Sequence, residues 1–234
     1  TSREVAFFVI LFLNKTFNIM TISVPTNIND ITLGEFQKFD VINIENQDSD
    51  FLLHKTIEIF CGVDLNVVSK FPLKDAEEIE SEIAGVLSQD TPHTTQFELE
   101  GVKYGFIPDL SQMSLGEYID LEDALKETKT FHKAMSVMYR PIVKSFSNLY
   151  TIEAYDASPE RQELMKSAPL GIASSAVVFF YHIVKELLEV SQHYSKTLEE
   201  GTLTTLERHS SPKNMDGLTA SMHFLRVVSQ NLKQ

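Results

Sequence analysis

The sequence predicts a mainly α protein with a small β-hairpin, an α+β class built as one compact helical domain. Three observations predict it. Apolar residues recur at helical spacing through most of the chain. Two S/T-x-x-E capping boxes, Thr32 to Glu35 and Ser114 to Glu117, mark helix starts. The period turns from helical to alternating near residues 96–107. Nine Gly and eight Pro in 234 residues argue against a loop-dominated fold.

The first helix is expected behind Thr32, with Leu33, Phe36, Phe39, Val41 and Ile44 at approximate helical spacing and the polar run Asn46 to Asp50 breaking it. A second spans Phe51 to Cys61 and stops at Gly62, a residue that takes the left-handed conformation cheaply. Asp64 to Ser69 allows one further turn. A third long helix starts at Leu73, with acidic residues near its N-terminus where the helix dipole favours them. Its buried stripe is Ile79, Ile83, Val86 and Leu87, and Asp90-Thr91-Pro92 ends it.

Phe97, Leu99, Val102, Tyr104 and Phe106 then alternate on either side of Glu100-Gly101, a hairpin in which Gly101 takes a positive φ. Ser114 starts a short helix near Tyr118 to Leu125. The helix expected from Lys129 to Tyr139 is ended by Pro141, because the residue before proline is pushed out of the α region. Leu149 to Tyr155 alternates as a strand. Ser158-Pro159 opens a helix through Met165, and Ala168-Pro169-Leu170 opens the longest, running to about Leu198.

The expected organisation is a main domain over residues 20–200, a linker over 201–217 rich in Thr, Ser, Pro and Gly, and an amphipathic C-terminal helix over 218–234. Residues 1–19 are expected to be an upstream extension, with Met20 the physiological start. The apolar run Val5 to Leu13 is shorter than the ~20 residues of a membrane span, and no convincing cleavage site follows it. No membrane association is expected.

Net charge is −13, from 33 acidic and 20 basic residues. Sequence-independent binding to nucleic acid comes from Lys and Arg neutralising phosphates, so nucleic acid is excluded as an expected partner. Cys61 is alone and lies in an apolar stretch, where a thiol acts as a small hydrophobe. No phosphate-cradling glycine loop, zinc motif or serine-nucleophile motif is present. The expectation is therefore a protein that is not an enzyme, with no catalytic residues, metal or cofactor. Against it stand His54 with Glu58 and His182 with Glu186, which share helix faces, and His132; these would serve a metal-dependent enzyme of unrecognised type.

If a binding surface is to be named, it is Glu117, Tyr139, Arg140 and Pro141, since an arginine beside a helix-ending proline is available for bidentate pairing. The competing reading is that Arg140 pairs within the fold. The phrase [ST]-L-G-E-[FY] occurs twice, at Thr32 to Phe36 and Ser114 to Tyr118. It reads either as two independent caps or as matched units facing a shared partner.

Tyr104 to Leu110, Met113 to Leu121, Ala134 to Ile142 and Ile31 to Phe36, in their places along the chain, resemble a poorly characterised family of tailed-bacteriophage proteins. The similarity runs from about Met20 to Glu200. The layout is also similar to phage tail-assembly chaperones. The resemblance implies a morphogenesis protein that binds another phage structural component in the cytoplasm of the infected host, such as an extended tape-measure segment. A minor structural virion protein is the alternative within the same resemblance. It supplies no catalytic residues.

Overall fold

A computed structural model describes residues 5–13, 16–46, 48–147 and 149–182. Strand β1 (Val5–Leu13) pairs antiparallel with β2 (Thr16–Val24), with Met20 opposite Val9. Ile22 and Val24 of β2 are buried in the main core. A 3-10 turn (Ile28–Asp30) leads to helix α1 (Leu33–Glu45), then α2 (Ser49–Cys61), α3 (Leu65–Val68) and α4 (Leu73–Leu87). Strands β3 (Gln96–Leu99) and β4 (Val102–Phe106) form the expected hairpin, turning through Glu100 at φ 49° and Gly101 at φ 78°. Helix α5 (Leu115–Ala124) and α6 (Phe131–Met138) follow, then β5 (Tyr139–Phe146), β6 (Leu149–Ile152) and α7 (Pro159–Leu164). Residues 170–182 are the described part of helix α8. The rest of the longest expected helix, the linker and the C-terminal helix lie outside the described residues.

The class is α+β, helices around a small four-stranded antiparallel sheet of order β3-β4-β5-β6. The sheet is larger than the expected hairpin because the chain past Met138 does not end in a loop. The helix stops two residues before the proline-preceding Arg140, and Tyr139 to Phe146 continues as an extended strand. Pro141 is therefore not a helix terminator but a strand residue opposite Tyr104, and its carbonyl accepts the Glu153 N–H at 3.0 Å. Extended backbone suits both proline and the residue before it.

One buried core joins residues of β2, α2 and α4 to α5, α6, the sheet and the start of α8. Tyr139 is wholly buried there, its ring edge-on to Phe97 (5.1 Å between centroids) and Phe106 (5.2 Å). These aromatics supply large apolar area together with edge-to-face attraction. The start of α8 is seated closely. Leu33 N–H donates to the Ala168 carbonyl at 2.9 Å and Leu170 N–H to the Ile31 carbonyl at 2.8 Å, joining the N-termini of α1 and α8. Gly171 fits closely there, since a Cβ would stand 2.5 Å from Asn29 Oδ1 and 2.8 Å from Ile28 Cγ2.

In α1 the apolar stripe runs differently from expectation. Leu33 is buried and Phe36 and Phe39 partly so, but Ile44 is 68% exposed and the buried polar residue is Gln37. Its amide donates to the Thr128 carbonyl at 2.7 Å, so a turn rather than an apolar face covers that side of the helix. Among the described residues no helix is long and apolar enough to cross a membrane.

Candidate functional site

Both repeated phrases form complete capping boxes. Thr32 Oγ1 accepts from Glu35 N–H while Glu35 Oε2 accepts from Thr32 N–H, and Ser114 and Glu117 do the same. Beyond the cap the two diverge. Leu33 is wholly buried and Leu115 is 75% exposed. A Cβ on Gly34 would meet Lys166 at 3.1 Å, whereas Gly116 faces open space. What repeats is a local helix-start device, worth ~0.5–2 kcal/mol at each helix.

Glu117 has a second task. Its Oε2 caps α5 and its Oε1 takes Arg140 Nη1 at 2.7 Å, with both side chains more than nine-tenths buried. Of the four residues named from sequence, Glu117 and Arg140 pair with each other inside the fold. Arg140 is the second residue of β5 and pins α5 against the sheet. Tyr139 beside it donates its hydroxyl to the Thr94 carbonyl at 2.5 Å. Pro141 is half-buried and stands at the last position where β5 pairs with β4.

The electrostatics follow from burial. Desolvation pushes the Glu117 carboxyl up. The Ser114 amide and hydroxyl and the Arg140 guanidinium outweigh it and hold the group below the usual carboxylate range. Burial, with Tyr150 nearby, pushes the Tyr139 phenol far up. Near neutrality the Glu117 carboxyl is ionised and the Tyr139 phenol is protonated. Such groups fix geometry rather than exchange protons.

Past Pro141, β5 no longer pairs with β4. Ile142 to Phe146 pairs only with β6, through a bulge between Ile142 and Lys144. Exposure climbs along β5 from Tyr139 to Phe146, which is 84% exposed. Phe146 faces Leu149 directly across the tip, and Leu149 is 76% exposed. Val143 on the same arm is also exposed. The result is a two-stranded arm with a buried ion pair at its root and an apolar pair at its tip. Sequence reading named the root and missed the tip, although Phe146 and Leu149 flanking Ser147-Asn148 is an ordinary turn signal.

The histidines considered for catalysis stand on three different helices. His54 is half-buried on α2, and its neighbour Glu58 pairs with Lys55 at 2.6 Å instead. His132 on α6 is buried. Its Nδ1 accepts from the Gln37 amide at 3.1 Å and its Nε2 stands 3.7 Å from Glu163 Oε1. Desolvation and Lys166 lower its pKa more than Glu163 raises it. His182 is exposed at the described end of α8, and its expected partner Glu186 lies outside the described residues. Among the described residues no three His, Cys, Asp or Glu side chains gather as a metal site. Comparison of the chain with protein-family models, with curated proteins and with solved structures gives no match.

Proposed function

We propose that this chain is a non-enzymatic binding protein of bacteriophage morphogenesis. It engages another virion component in the cytoplasm of the infected host, in the manner of a tail-assembly chaperone. The observation that supports binding is the arm: Phe146 and Leu149, paired across its tip, are held in water by a root that is rigidly buried. Covering one large apolar side chain gains ~1.5–3 kcal/mol, so a partner pocket that takes both gains on the order of a hundredfold or more in affinity from a small contact. Hot spots of this kind are compact and apolar, with a few anchors carrying most of the energy. The phage assignment comes from the resemblance of Ile31 to Phe36, Tyr104 to Leu110, Met113 to Leu121 and Ala134 to Ile142 described above.

Affinity capture from phage-infected bacteria, with proteomics of purified particles, tests the reading. A virion structural protein should be retained by the wild-type chain and released by Phe146→Asp with Leu149→Asp. A chain that neither enters particles nor retains any structural component would sink it.

A further inference from the structure

The segment that joins α4 to the sheet carries His93 into an aromatic cluster at the described end of α8. Its backbone is tied on both sides: Thr91 Oγ1 donates to the Gly171 carbonyl at 2.8 Å, and the Thr94 carbonyl accepts the Tyr139 hydroxyl. The imidazole lies flat on the Phe179 ring of α8, with 4.1 Å between centroids and 2° between planes. It stands edge-on to Phe106 of β4 at 4.7 Å, and Phe106 meets Phe179 edge-on at 5.5 Å. Both imidazole nitrogens are enclosed, and neither has a hydrogen-bond partner among the described residues. His132 is the contrast, since its Nδ1 meets the Gln37 amide and its Nε2 stands near Glu163. Buried polar atoms are nearly always paired, so a histidine held by ring contacts alone is an exception.

We propose that His93 is a proton-operated latch: the neutral ring holds the Phe179 end of α8 on the sheet, and the protonated ring releases it. A neutral imidazole presents a flat, weakly polar face that stacks on a phenyl ring. Protonation adds a charge and a second N–H donor where no acceptor is in place. A buried, unpaired charge costs more than a cation over an aromatic face returns, so the ring leaves for water and Phe179 loses its stack. No ionised neighbour offsets this, and burial alone lowers the His93 pKa below its ordinary 6.5. The phenols on the surrounding elements, Tyr104 of β4, Tyr139 of β5, Tyr150 of β6 and Tyr181 of α8, are pushed up by burial and stay neutral. Asp90 on the same segment and His182 of α8 are exposed, and neither contributes to the shift. Because the folded value is the lower one, the latch is closed above about pH 6.5 and opens as pH falls through the folded value. Release is confined to the helix end. Ala173, Ala176 and Val177 are buried in the main core, and Leu170 remains bonded to Ile31. What the opening uncovers is the Phe106 ring. The latch does not rest on the proposed binding role or on the β5–β6 arm.

Hydrogen exchange of the full chain at about pH 7.5 and about pH 5, corrected for the intrinsic pH dependence of exchange, tests the latch. Amides of residues 179–182 should exchange at least tenfold faster at the lower pH, while those of α2 and α4 keep their protection. His93→Phe keeps the stack without the titration, so its exchange should differ less than twofold between the two conditions. His93→Gln removes the stack, and its α8 end should exchange fast in both. His132→Gln should respond as wild type does, which separates the latch from the other buried histidine. An NMR titration of the His93 Cε1 proton, assigned by its absence in His93→Gln, should show a midpoint below 6.5. Should His93→Phe fail to fold, His93→Gln and the titration decide alone. A wild-type α8 end equally protected in both conditions, a response that survives in His93→Phe or vanishes in His132→Gln, an equal response in α2 and α4, a His93→Gln end as protected as wild type, or a His93 midpoint at or above 6.5 would each overturn the proposal.

Discussion

Glu117 divides its carboxylate between two structures: one oxygen caps α5 and the other holds Arg140 at the root of the β5–β6 arm. Loss of Glu117 breaks both, whereas loss of Arg140 breaks the ion pair alone. Arg140→Ala leaves a buried carboxylate with its cap alone, and Glu117→Ala leaves a buried guanidinium whose Nε already lacks a hydrogen-bond partner among the described residues. Stripping one member from a buried ion pair costs about 3–5 kcal/mol. Urea denaturation of the two single variants and the double variant measures this. The double variant should lose less than the sum of the singles.

The same pair sets an acid limit. The folded Glu117 carboxyl lies below its ordinary value of 4.5, so its contribution is fully present above about pH 4.5 and is lost as pH falls through the folded pKa. Wild type should lose stability over that acid window more steeply than Glu117→Gln. Parallel denaturation curves for the two proteins down to pH 3 would contradict this.

At the arm's tip the expectation is the reverse. Phe146→Asp should change unfolding free energy by no more than about 0.5 kcal/mol, the usual range for exposed positions, while partner capture is lost. A large fall in stability would show that the tip is covered within the folded chain.

Gly105 is opposite Arg140 in the β4–β5 ladder, and the Tyr150 ring lies across it so closely that a Cβ there would overlap the ring. Tyr150 also donates to the Phe106 carbonyl at 2.8 Å. Gly105→Ala should displace the ring, break that hydrogen bond and cost ~1–3 kcal/mol. Tyr150→Phe separates the hydrogen-bond part from the steric part.

Burial pushes the Cys61 thiol up to about 12. At pH 8 the thiolate is then about one in ten thousand, and thiolate is the reactive form. Native protein should react with a disulfide reagent orders of magnitude more slowly than protein in urea. A fast native reaction would place Cys61 in a different environment.

Where a local signal exists, the sequence and the fold agree. Thr32, Ser114 and Ser158 each cap a helix, Gly62 ends one at φ 64°, and Gly101 turns the first hairpin. The strand from Tyr139 was not legible, because Tyr-Arg-Pro-Ile-Val-Lys-Ser-Phe carries a proline and no clean alternation. Its extended state comes from pairing with β4, a contact distant in sequence. Glu117 and Arg140 were singled out without any signal that they touch, since pairing across a helix and a sheet leaves no periodicity.

The join between Ile31–Leu33 and Ala168–Leu170 carries a consequence for the order of assembly. It links segments more than half the chain apart, and closing so long a loop is slow because its entropy is lost before the contact repays it. The Glu117–Arg140 pair and the β5–β6 arm lie inside that loop. During synthesis, the arm's apolar tip is made before Ala168 to Leu170 exist to close the join.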